Sequence, residues 1–261
     1  MNKKLMNIAP ARYANAAILA QTIGQEMLAR LEFVTLQPQV IVDLGCGTGN
    51  FSKTLTERYP EAHVIALDID YPMLQFAEPQ VGKTSRICAD ALTLPLADQS
   101  VDLLFANLLL PWCDDLAKLF REWRRVLRTD GLLVFTSLGP DTLREWREEL
   151  GNFMLPNFID MHEVGDLLTG ARFAEPVLDM EYYSLTYRGT EDFLRELHES
   201  GMLVSADVSL AGLDVDFSQG DLLSANFEIV HGHAWGPDVM VDQVADAMGV
   251  VSIPLSRLRR R

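Results

Sequence analysis

Short apolar runs rich in β-branched residues recur through the first half of the chain, and each one ends at a polar residue. They predict five buried strands, at residues 40–42, 64–68, 85–89, 101–106 and 131–137. Between these runs, apolar residues recur with helical spacing, which predicts helices at residues 51–59, 72–77 and 116–127. Strands that alternate with helices form βαβ units, so the pattern predicts an α/β fold around a parallel sheet.

The segments on either side carry the same kinds of periodic signal. Residues 14–31 have apolar positions at helical spacing, which predicts a helix that packs on the sheet. Pro140 and the acids near it are typical of a helix that begins after the fifth strand. The remaining predictions are a helix at residues 158–168, a β segment within residues 173–187 and a last strand at residues 224–230.

The composition excludes several classes of protein. The 261 residues carry a net charge of −15, which argues against a nucleic-acid substrate because such proteins need a basic surface. No apolar run approaches the roughly 20 residues of a membrane span. Lys3 and Lys4 are not followed by the apolar stretch of a signal peptide. Three isolated cysteines are typical of a reducing compartment, and we expect a cytoplasmic protein.

The turn after the first strand reads D-L-G-C-G-T-G over residues 43–49. Gly45, Gly47 and Gly49 permit unusual backbone angles and let a ligand approach the main chain closely. The following helix N-terminus favours an anionic ligand group, whereas Asp43 disfavours a pyrophosphate and suits an ammonium. The pattern therefore favours a ligand with both groups, such as the methionyl end of S-adenosylmethionine. A nicotinamide site or a turn without a nucleotide is the alternative.

A second acid follows at the end of the next predicted strand. Asp68 lies 19 residues after Gly49, close to the roughly 20 residues typical of an acid that binds a ribose. Its two carboxylate oxygens can accept from both ribose hydroxyls. A surface acid at a strand end is the alternative.

These residues resemble the class I S-adenosylmethionine-dependent methyltransferases, over about residues 40–137. The resemblance implies a Rossmann-like α/β fold with a mostly parallel seven-stranded sheet and a small cap, and S-adenosylmethionine as the cofactor. In that family an acid at the end of the third strand binds the adenine amino group, which points to Asp90. The family also has a residue beside the transferred methyl group at the position of Asn107. The implied cofactor-binding residues are Asp43, Gly45, Gly47, Gly49, Asp68, Ile69, Asp90, Ala91 and Asn107.

The flanking segments resemble the malonyl-[acyl-carrier protein] O-methyltransferases of biotin synthesis. The matching stretches are the arm around Tyr13 and residues 27–31, 135–143, 158–162 and 227–235. This resemblance implies methylation of the free carboxylate of a malonyl thioester, on acyl-carrier protein or coenzyme A, which starts a pimeloyl chain. The alternatives are a methyltransferase of another small acid, an arginine hydroxylase that shares residues 141–143, or an assembly factor that binds S-adenosylmethionine.

The same resemblance implies a division of the chain. We expect a single methyltransferase domain over residues 1–261. Its parts would be an N-terminal lid arm and helix at 1–35, a cofactor-binding core at 40–137, a substrate cap at 139–220, and a last strand and tail at 224–261.

Two residues are candidates for contact with the substrate. A carboxylate is ionised at neutral pH, so its methylation needs alignment and no general base. Arg144 is the candidate clamp for the carboxylate, because guanidinium binds carboxylate bidentately; a solvated residue paired with Glu148 is the alternative. Tyr13 is a candidate to close over the methyl group, and packing of the N-terminal arm is its alternative.

The histidines and the basic residues have structural interpretations. His231 and His233 could pair on a metal, but no third ligand is evident, and we expect them at a strand end without a metal. His162 is expected near a helix N-terminus. A basic stripe on the helix at 116–127 is interpreted as a solvated face; it comprises Lys118, Arg121, Arg125 and Arg128. An acidic carrier protein would instead meet Lys3, Lys4, Arg12 and the arginines of residues 257–261.

Overall fold

A computed structural model describes residues 8–77, 84–150, 155–203 and 222–236. Seven strands form one sheet within these ranges: β1 Val40–Leu44, β2 His63–Asp68, β3 Thr84–Cys88, β4 Val101–Ala106, β5 Leu127–Leu138, β6 Ala174–Tyr187 and β7 Leu223–Trp235. Their order across the sheet is β3-β2-β1-β4-β5-β7-β6. The first five strands run parallel, and β7 is antiparallel to both β5 and β6. The predicted α/β fold with a mostly parallel seven-stranded sheet is confirmed.

Eight α-helices connect and flank the strands in the described part of the chain. They are α1 Pro10–Ala16, α2 Ile18–Arg30, α3 Asn50–Arg58, α4 Tyr71–Phe76, α5 Leu116–Val126, α6 Arg147–Leu150, α7 Met161–Gly170 and α8 Thr190–Glu199. Short 3-10 helices occupy Leu31–Phe33, Leu110–Trp112 and Arg144–Trp146. Among the described residues, no helix is long and apolar enough to cross a membrane.

Aspartate side chains fix where three of the helices begin. Asp70, Asp115 and Asp160 precede α4, α5 and α7, and each carboxylate accepts a hydrogen bond from a backbone N–H in the first turn. Such caps satisfy donors that have no partner within the helix, and each contributes about 1 kcal/mol of stability. The helix predicted at 158–168 therefore begins at Met161.

Apolar layers cover both faces of the sheet. On one face, α5 buries Phe120 and Trp123 completely, and Phe120 packs against Phe135 of β5. On the other face, α2 and α3 bury Met27 and Leu55 against the parallel strands. The N-terminal half of α2 packs with β7 and α8 in a third cluster. These layers hold the carboxyl ends of the parallel strands at one edge, where their loops meet.

The prediction of a single helix at residues 14–31 was wrong, because two helices, α1 and α2, form there. Ala17 leaves the helical region, with φ −77° and ψ 46°. The Gln21 side chain donates to the Ala14 carbonyl at 2.8 Å, which satisfies an acceptor that the helix break leaves free. The break turns α1 away from the direction of α2 and lets α1 contact α4 and α8.

The prediction that a helix begins near Pro140 was also wrong. The buried carboxylate of Glu228, on β7, accepts from the Asp141 N–H at 2.6 Å, and Thr142 donates through Oγ1 to the Glu228 carbonyl at 3.2 Å. These bonds hold the segment as a turn. The helical backbone therefore begins only at Arg144.

β7 is longer than predicted, so two histidines that were expected at its end lie within it. His231 and His233 lie within the strand, opposite Thr136 and Val134 of β5, whereas a strand end was predicted. β6 lies inside residues 139–220, the range expected for a cap. Lys3, Lys4 and the predicted tail arginines at 257–261 lie outside the described residues.

Candidate active site

A cavity of about 730 Å³ lies at the carboxyl ends of the parallel strands. Ligands of α/β proteins bind at this edge, and the volume is within the roughly 300–1,000 Å³ of ligand pockets. The predicted site residues that line it are Tyr13, Asp43, Gly45, Gly47, Asp68, Ile69, Ala91 and Asn107. Gly49, Asp90 and Arg144 were also predicted and are not among its lining residues.

The glycine loop has almost no space for side chains. Gly45 and Gly47 have φ angles of +68° and +52°, a region that other residues rarely adopt. A Cβ at Gly45 would lie 2.9 Å from Leu109, and one at Gly47 would lie 3.2 Å from the Tyr13 ring. Gly49 shapes the turn from behind, as the residue before α3, with φ +81°. The loop thus presents its bare backbone to the cavity.

Asp43 is a buried acid without a cation beside it in the described lining. Its side chain is only 2% exposed, and Ser52 Oγ donates to its Oδ2 at 2.5 Å. Burial, and to a lesser extent Asp68, raise the pKa of Asp43 to about 7, although the Ser52 hydrogen bond acts to lower it. A cationic ligand group in the cavity would stabilise the ionised form.

Asp68 is held rigidly by the loops around it. Its Oδ2 accepts from the Gly47 N–H at 2.8 Å, and its Oδ1 accepts from the Asp70 N–H at 2.9 Å. Burial raises the pKa of Asp68, while these backbone bonds oppose the shift. Each carboxylate oxygen keeps a lone pair for a further donor, so two neighbouring hydroxyls could bind there.

The turn after β3 contributes its backbone and small side chains. The Asp90 carboxylate accepts from the Leu92 N–H at 2.9 Å, so it stabilises the turn and does not line the cavity. Ala89 and Ala91, on either side of it, do line the cavity. This placement differs from the direct adenine contact that was predicted for Asp90.

Asn107 lines the cavity and also connects the sheet to α2. Its Nδ2 donates to the Ala20 carbonyl at 2.7 Å, and its Oδ1 accepts from Thr136 Oγ1 at 2.8 Å. Thr136 Oγ1 in turn accepts from the Leu108 N–H at 2.9 Å. Leu108 has a φ of +51°, a backbone conformation that is costly for leucine and is held by these contacts.

Tyr13 covers the glycine loop from α1. Burial and the carboxylate of Asp68 raise the pKa of the phenol to about 12, so it stays protonated and can donate at neutral pH. Arg12 pairs with Glu199 across 3.7 Å, which ties α1 to α8. The predicted N-terminal arm therefore forms one wall of the cavity.

The other end of the cavity is mainly apolar and was not found from the sequence. Four polar side chains join it: Trp112, Asn157, Glu196 and Ser200. Burial raises the pKa of Glu196, which accepts from the Tyr187 hydroxyl at 3.2 Å. The apolar lining comes from distant segments and carries no motif: Leu19, Leu138, Leu155, Leu197, Met202 and Phe227.

Arg144, the predicted carboxylate clamp, lies outside this cavity. Its side chain is 75% exposed and pairs with Asp141 at 3.2 Å. The reason is the turn held by Glu228, which replaces the helix that was expected to carry Arg144 inwards. No lysine, arginine or histidine stands among the described residues that line the cavity. The alternative pairing of Arg144 with Glu148 is not observed either, because Arg144 pairs with Asp141.

The basic stripe on α5 is largely used within the protein. Arg125 pairs with Glu122 at 2.7 Å and with Asp98 at 2.6 Å. Arg128 belongs to β5 and pairs with Asp102 at 2.7 Å. These contacts favour a structural role for half of the stripe.

The residues at the strand ends fit S-adenosylmethionine. Asp43 is a buried carboxylate that a cation would stabilise, the glycine loop offers backbone close to a ligand, and Asp68 offers free lone pairs. An ammonium, a carboxylate and a ribose have the complementary chemistry.

Several known proteins are similar to this chain in sequence. Residues 42–135 match the family described as a methyltransferase domain. The malonyl-[acyl-carrier protein] O-methyltransferase of Gallionella capsiferriformans is 38% identical over 93% of this chain and 94% of its own length. The proteins of the same name from Methylovorus sp. and Nitrosospira multiformis are 38% and 35% identical, over 89% and 90% of this chain and 87% and 88% of their own lengths.

Solved structures show the same fold at low identity. The YcgJ protein of Bacillus subtilis superimposes with a TM-score of 0.61, at 15% identity over 82% of this chain and 99% of its own. The phosphoethanolamine N-methyltransferase 2 of Haemonchus contortus, solved with S-adenosyl-L-methionine, has a TM-score of 0.55 at 18% identity, over 82% and 53% of the two chains.

The fold and the strand-end site define a class I methyltransferase, an enzyme that uses S-adenosylmethionine. Within that class, the chain belongs to the malonyl-[acyl-carrier protein] O-methyltransferase family.

Proposed function

We propose that this enzyme methylates the free carboxylate of a malonyl thioester on acyl-carrier protein and so starts a pimeloyl chain for biotin. The observation that carries the proposal is the 35–38% identity to proteins named for this reaction, over about nine-tenths of the chain. The similarity includes the flanking segments that build the apolar end of the cavity.

The strand-end residues are assigned to the methyl donor. S-adenosylmethionine supplies an electrophilic methyl group on a sulfonium when it is bound. Asp43 would stabilise its ammonium, the glycine loop its carboxylate, and Asp68 its ribose hydroxyls. Ile69 and Ala91 would border the adenine, with Asp90 holding the turn in shape, and Gly49 would set the loop geometry.

The apolar end is assigned to the acyl group. The acceptor carboxylate is ionised at neutral pH, so the residues have to orient it and exclude water. The side chains that line the cavity and can donate a hydrogen bond without having a partner among the described residues include those of Tyr13, Trp112 and Asn157. We assign them to the second carboxylate oxygen, the role first expected of Arg144.

The charge of the lining also implies an order of binding. Five acids line the cavity: Asp43, Asp68, Asp70, Asp114 and Glu196. They would repel an acceptor carboxylate while no cation is present, and charges interact strongly where water is excluded. The cationic donor should therefore bind before the malonyl group.

The carrier protein would approach from the side of α1. Arg12 is 71% exposed there and is free to meet an acidic partner beyond its weak contact with Glu199. An attraction at this position would raise the association rate more than the final affinity.

Intact-mass measurement of malonyl-acyl-carrier protein after incubation with the enzyme and S-adenosylmethionine tests the proposal. A gain of one methyl group on the malonyl form, and none on the acetyl form, is the expected result. Malonyl-coenzyme A and free malonate are run beside them to show whether the carrier is required. Methylation of neither thioester, with donor binding verified by calorimetry, would refute the assignment of the substrate and leave the family membership intact.

A further inference from the structure

Three ligand-type side chains from distant segments converge outside the cavity. Glu26 comes from α2, Glu181 from β6 and His231 from β7. We call these three residues the His231 cluster. One oxygen of each carboxylate and one ring nitrogen of the histidine all lie within 4.8 Å of one another.

His231 is the unusual member of the cluster. It is only 3% exposed, and neither of its ring nitrogens has a hydrogen-bond partner. Its Nε2 faces Glu26 Oε2 at 4.0 Å. A buried polar group without a partner costs about 1–3 kcal/mol, so such a group in a native structure calls for an explanation. A ligand between the imidazole and the two carboxylates supplies one.

The chemistry of the donors selects the ligand. One imidazole nitrogen and two carboxylate oxygens are a donor set for a divalent transition metal such as Zn²⁺. A neutral imidazole nitrogen is the form of histidine that binds such a metal. Ligand atoms around a tetrahedral Zn²⁺ lie roughly 3.4 Å apart, given bonds of about 2.0–2.2 Å. Small rotations of the two glutamate side chains would bring the three atoms to that spacing.

Two neighbours compete for the carboxylates, and neither closes the site. Tyr183 donates to Glu26 and lies 3.2 Å from Glu181 Oε2. Arg30 binds Glu181 at 3.0 Å, but it also binds both oxygens of Asp179, at 2.8 and 2.7 Å. Arg30 thus keeps a bidentate partner when Glu181 turns. Arg30 binds two carboxylates, those of Asp179 and Glu181, and Glu26 adds a third negative charge to the cluster. The surroundings of His231 are therefore negative overall, which attracts a cation.

We propose that Glu26, Glu181 and His231 bind a divalent transition-metal ion, of which Zn²⁺ is the best match. The ion would fasten α2 to the last two strands of the sheet. Because α2 carries Ala20, whose carbonyl binds Asn107, the ion would fix one wall of the cavity. Its role is to position this helix, and the methyl transfer itself does not involve it.

Metal analysis of the full-length enzyme tests the proposal. The protein is stripped with a chelator, incubated with Zn²⁺, desalted and measured by mass spectrometry for metal content. About one equivalent of Zn²⁺ should remain with the wild type and with His233→Gln, and it should raise the melting temperature of both. His233 is the matched control, since it is exposed on the same strand and lies outside the cluster. His231→Gln and Glu181→Gln should lose the bound ion.

Two results of the same experiment would overturn the proposal. Equal retention by the wild type and both cluster variants would place the zinc elsewhere and overturn the proposal, as would no retention by the wild type. If His231→Gln does not fold, Glu181→Gln decides, because Glu181 is exposed and its loss leaves the core intact. Substitution with Co²⁺ gives a second readout: a visible absorption band that is present in the wild type and His233→Gln and absent in Glu181→Gln.

Discussion

The two ends of the cavity are built in different ways. The end assigned to the methyl donor consists of residues at the carboxyl ends of β1, β2 and β4 and in the loops that follow them, and it is rich in charge and fixed hydrogen bonds. The acceptor end is apolar, with a few neutral donors, and its residues come from α2, β5, β7, α8 and the segments beside them. A site for a cofactor that the whole class of enzymes shares can be formed by neighbouring loops at the strand ends. A site for one particular acyl group is formed by residues from segments that are far apart in the sequence.

The largest expected effect is at Asp68, in the donor end. Asp68→Ala removes the acceptor of two backbone N–H groups and both proposed ribose contacts. Hydrogen bonds to a charged group contribute about 1.5–3 kcal/mol each, so affinity for S-adenosylhomocysteine should fall by about 100-fold or more. Calorimetry measures this loss.

Asp90→Ala is the matched control, because Asp90 is also an acid at the carboxyl edge of the sheet, in the turn after β3, but lies outside the cavity lining. It should lower affinity by less than about tenfold, the loss expected from one hydrogen bond that orders a turn. Equal losses at the two positions would contradict the assignment of Asp68 to direct contact.

Asp43→Asn should separate binding from stability. The folded-state pKa of Asp43 is raised from 3.8 to about 7, so its contribution to stability is greatest below pH 4 and is lost as the pH rises through 7. At pH 8 the ligand-free variant should therefore be more stable than the wild type, by on the order of 2 kcal/mol. Thermal melts of both proteins from pH 5 to pH 8 measure this.

The same change should weaken binding of the ammonium-bearing ligand. Affinity of the wild type for S-adenosylhomocysteine should rise as Asp43 ionises between pH 6 and pH 8, and the variant should lack this rise and bind about tenfold more weakly at pH 8. Parallel pH profiles of the two proteins would show that another group controls binding.

Tyr13 stands where the two ends meet, and a smaller effect is expected there. Tyr13→Phe keeps the ring over the glycine loop and removes the donor, so kcat should fall by roughly fivefold with ligand affinity unchanged. Arg12→Ala, which loosens α1 at an exposed position, provides the comparison. An unchanged kcat in Tyr13→Phe would assign the residue to packing of the arm alone.

The smallest effect is expected at Arg144. Arg144→Ala removes a side chain that is 75% exposed, so kcat and KM should change by less than about twofold.

Trp112→Phe, in the end of the cavity assigned to the acyl group, is the comparison for Arg144→Ala. It should raise KM for malonyl-acyl-carrier protein by about three- to tenfold through loss of one hydrogen bond. A large loss of activity in Arg144→Ala would instead support Arg144 as the residue that binds the substrate carboxylate, as the sequence suggested.

The positions of the residues at the strand ends could be predicted from the sequence because the signals for them are local. Each parallel strand is a short apolar run, and the residue that follows it must lie at the carboxyl edge of the sheet. Asp43, Asp68 and Asn107 could therefore be placed near one another from strand positions alone. Their roles toward the donor stay predictions.

What could not be predicted depends on contacts between distant segments. The Gln21 side chain accommodates a break at Ala17, and the Glu228 carboxylate holds a turn that keeps Arg144 at the surface. No third ligand was found for His231 because its neighbours Glu26 and Glu181 lie 205 and 50 residues before it in the sequence. Periodicity carries no information about such pairs.

The half-titrated carboxyl of Asp43 links donor binding to proton uptake and release. Near pH 7 this group is shared between its protonated and ionised forms, and an ammonium beside it shifts it to the ionised form. Each binding event near pH 7 then expels a fraction of a proton into the solution. The heat of binding measured in Tris would differ from that in phosphate, because the two buffers absorb that proton with different enthalpies.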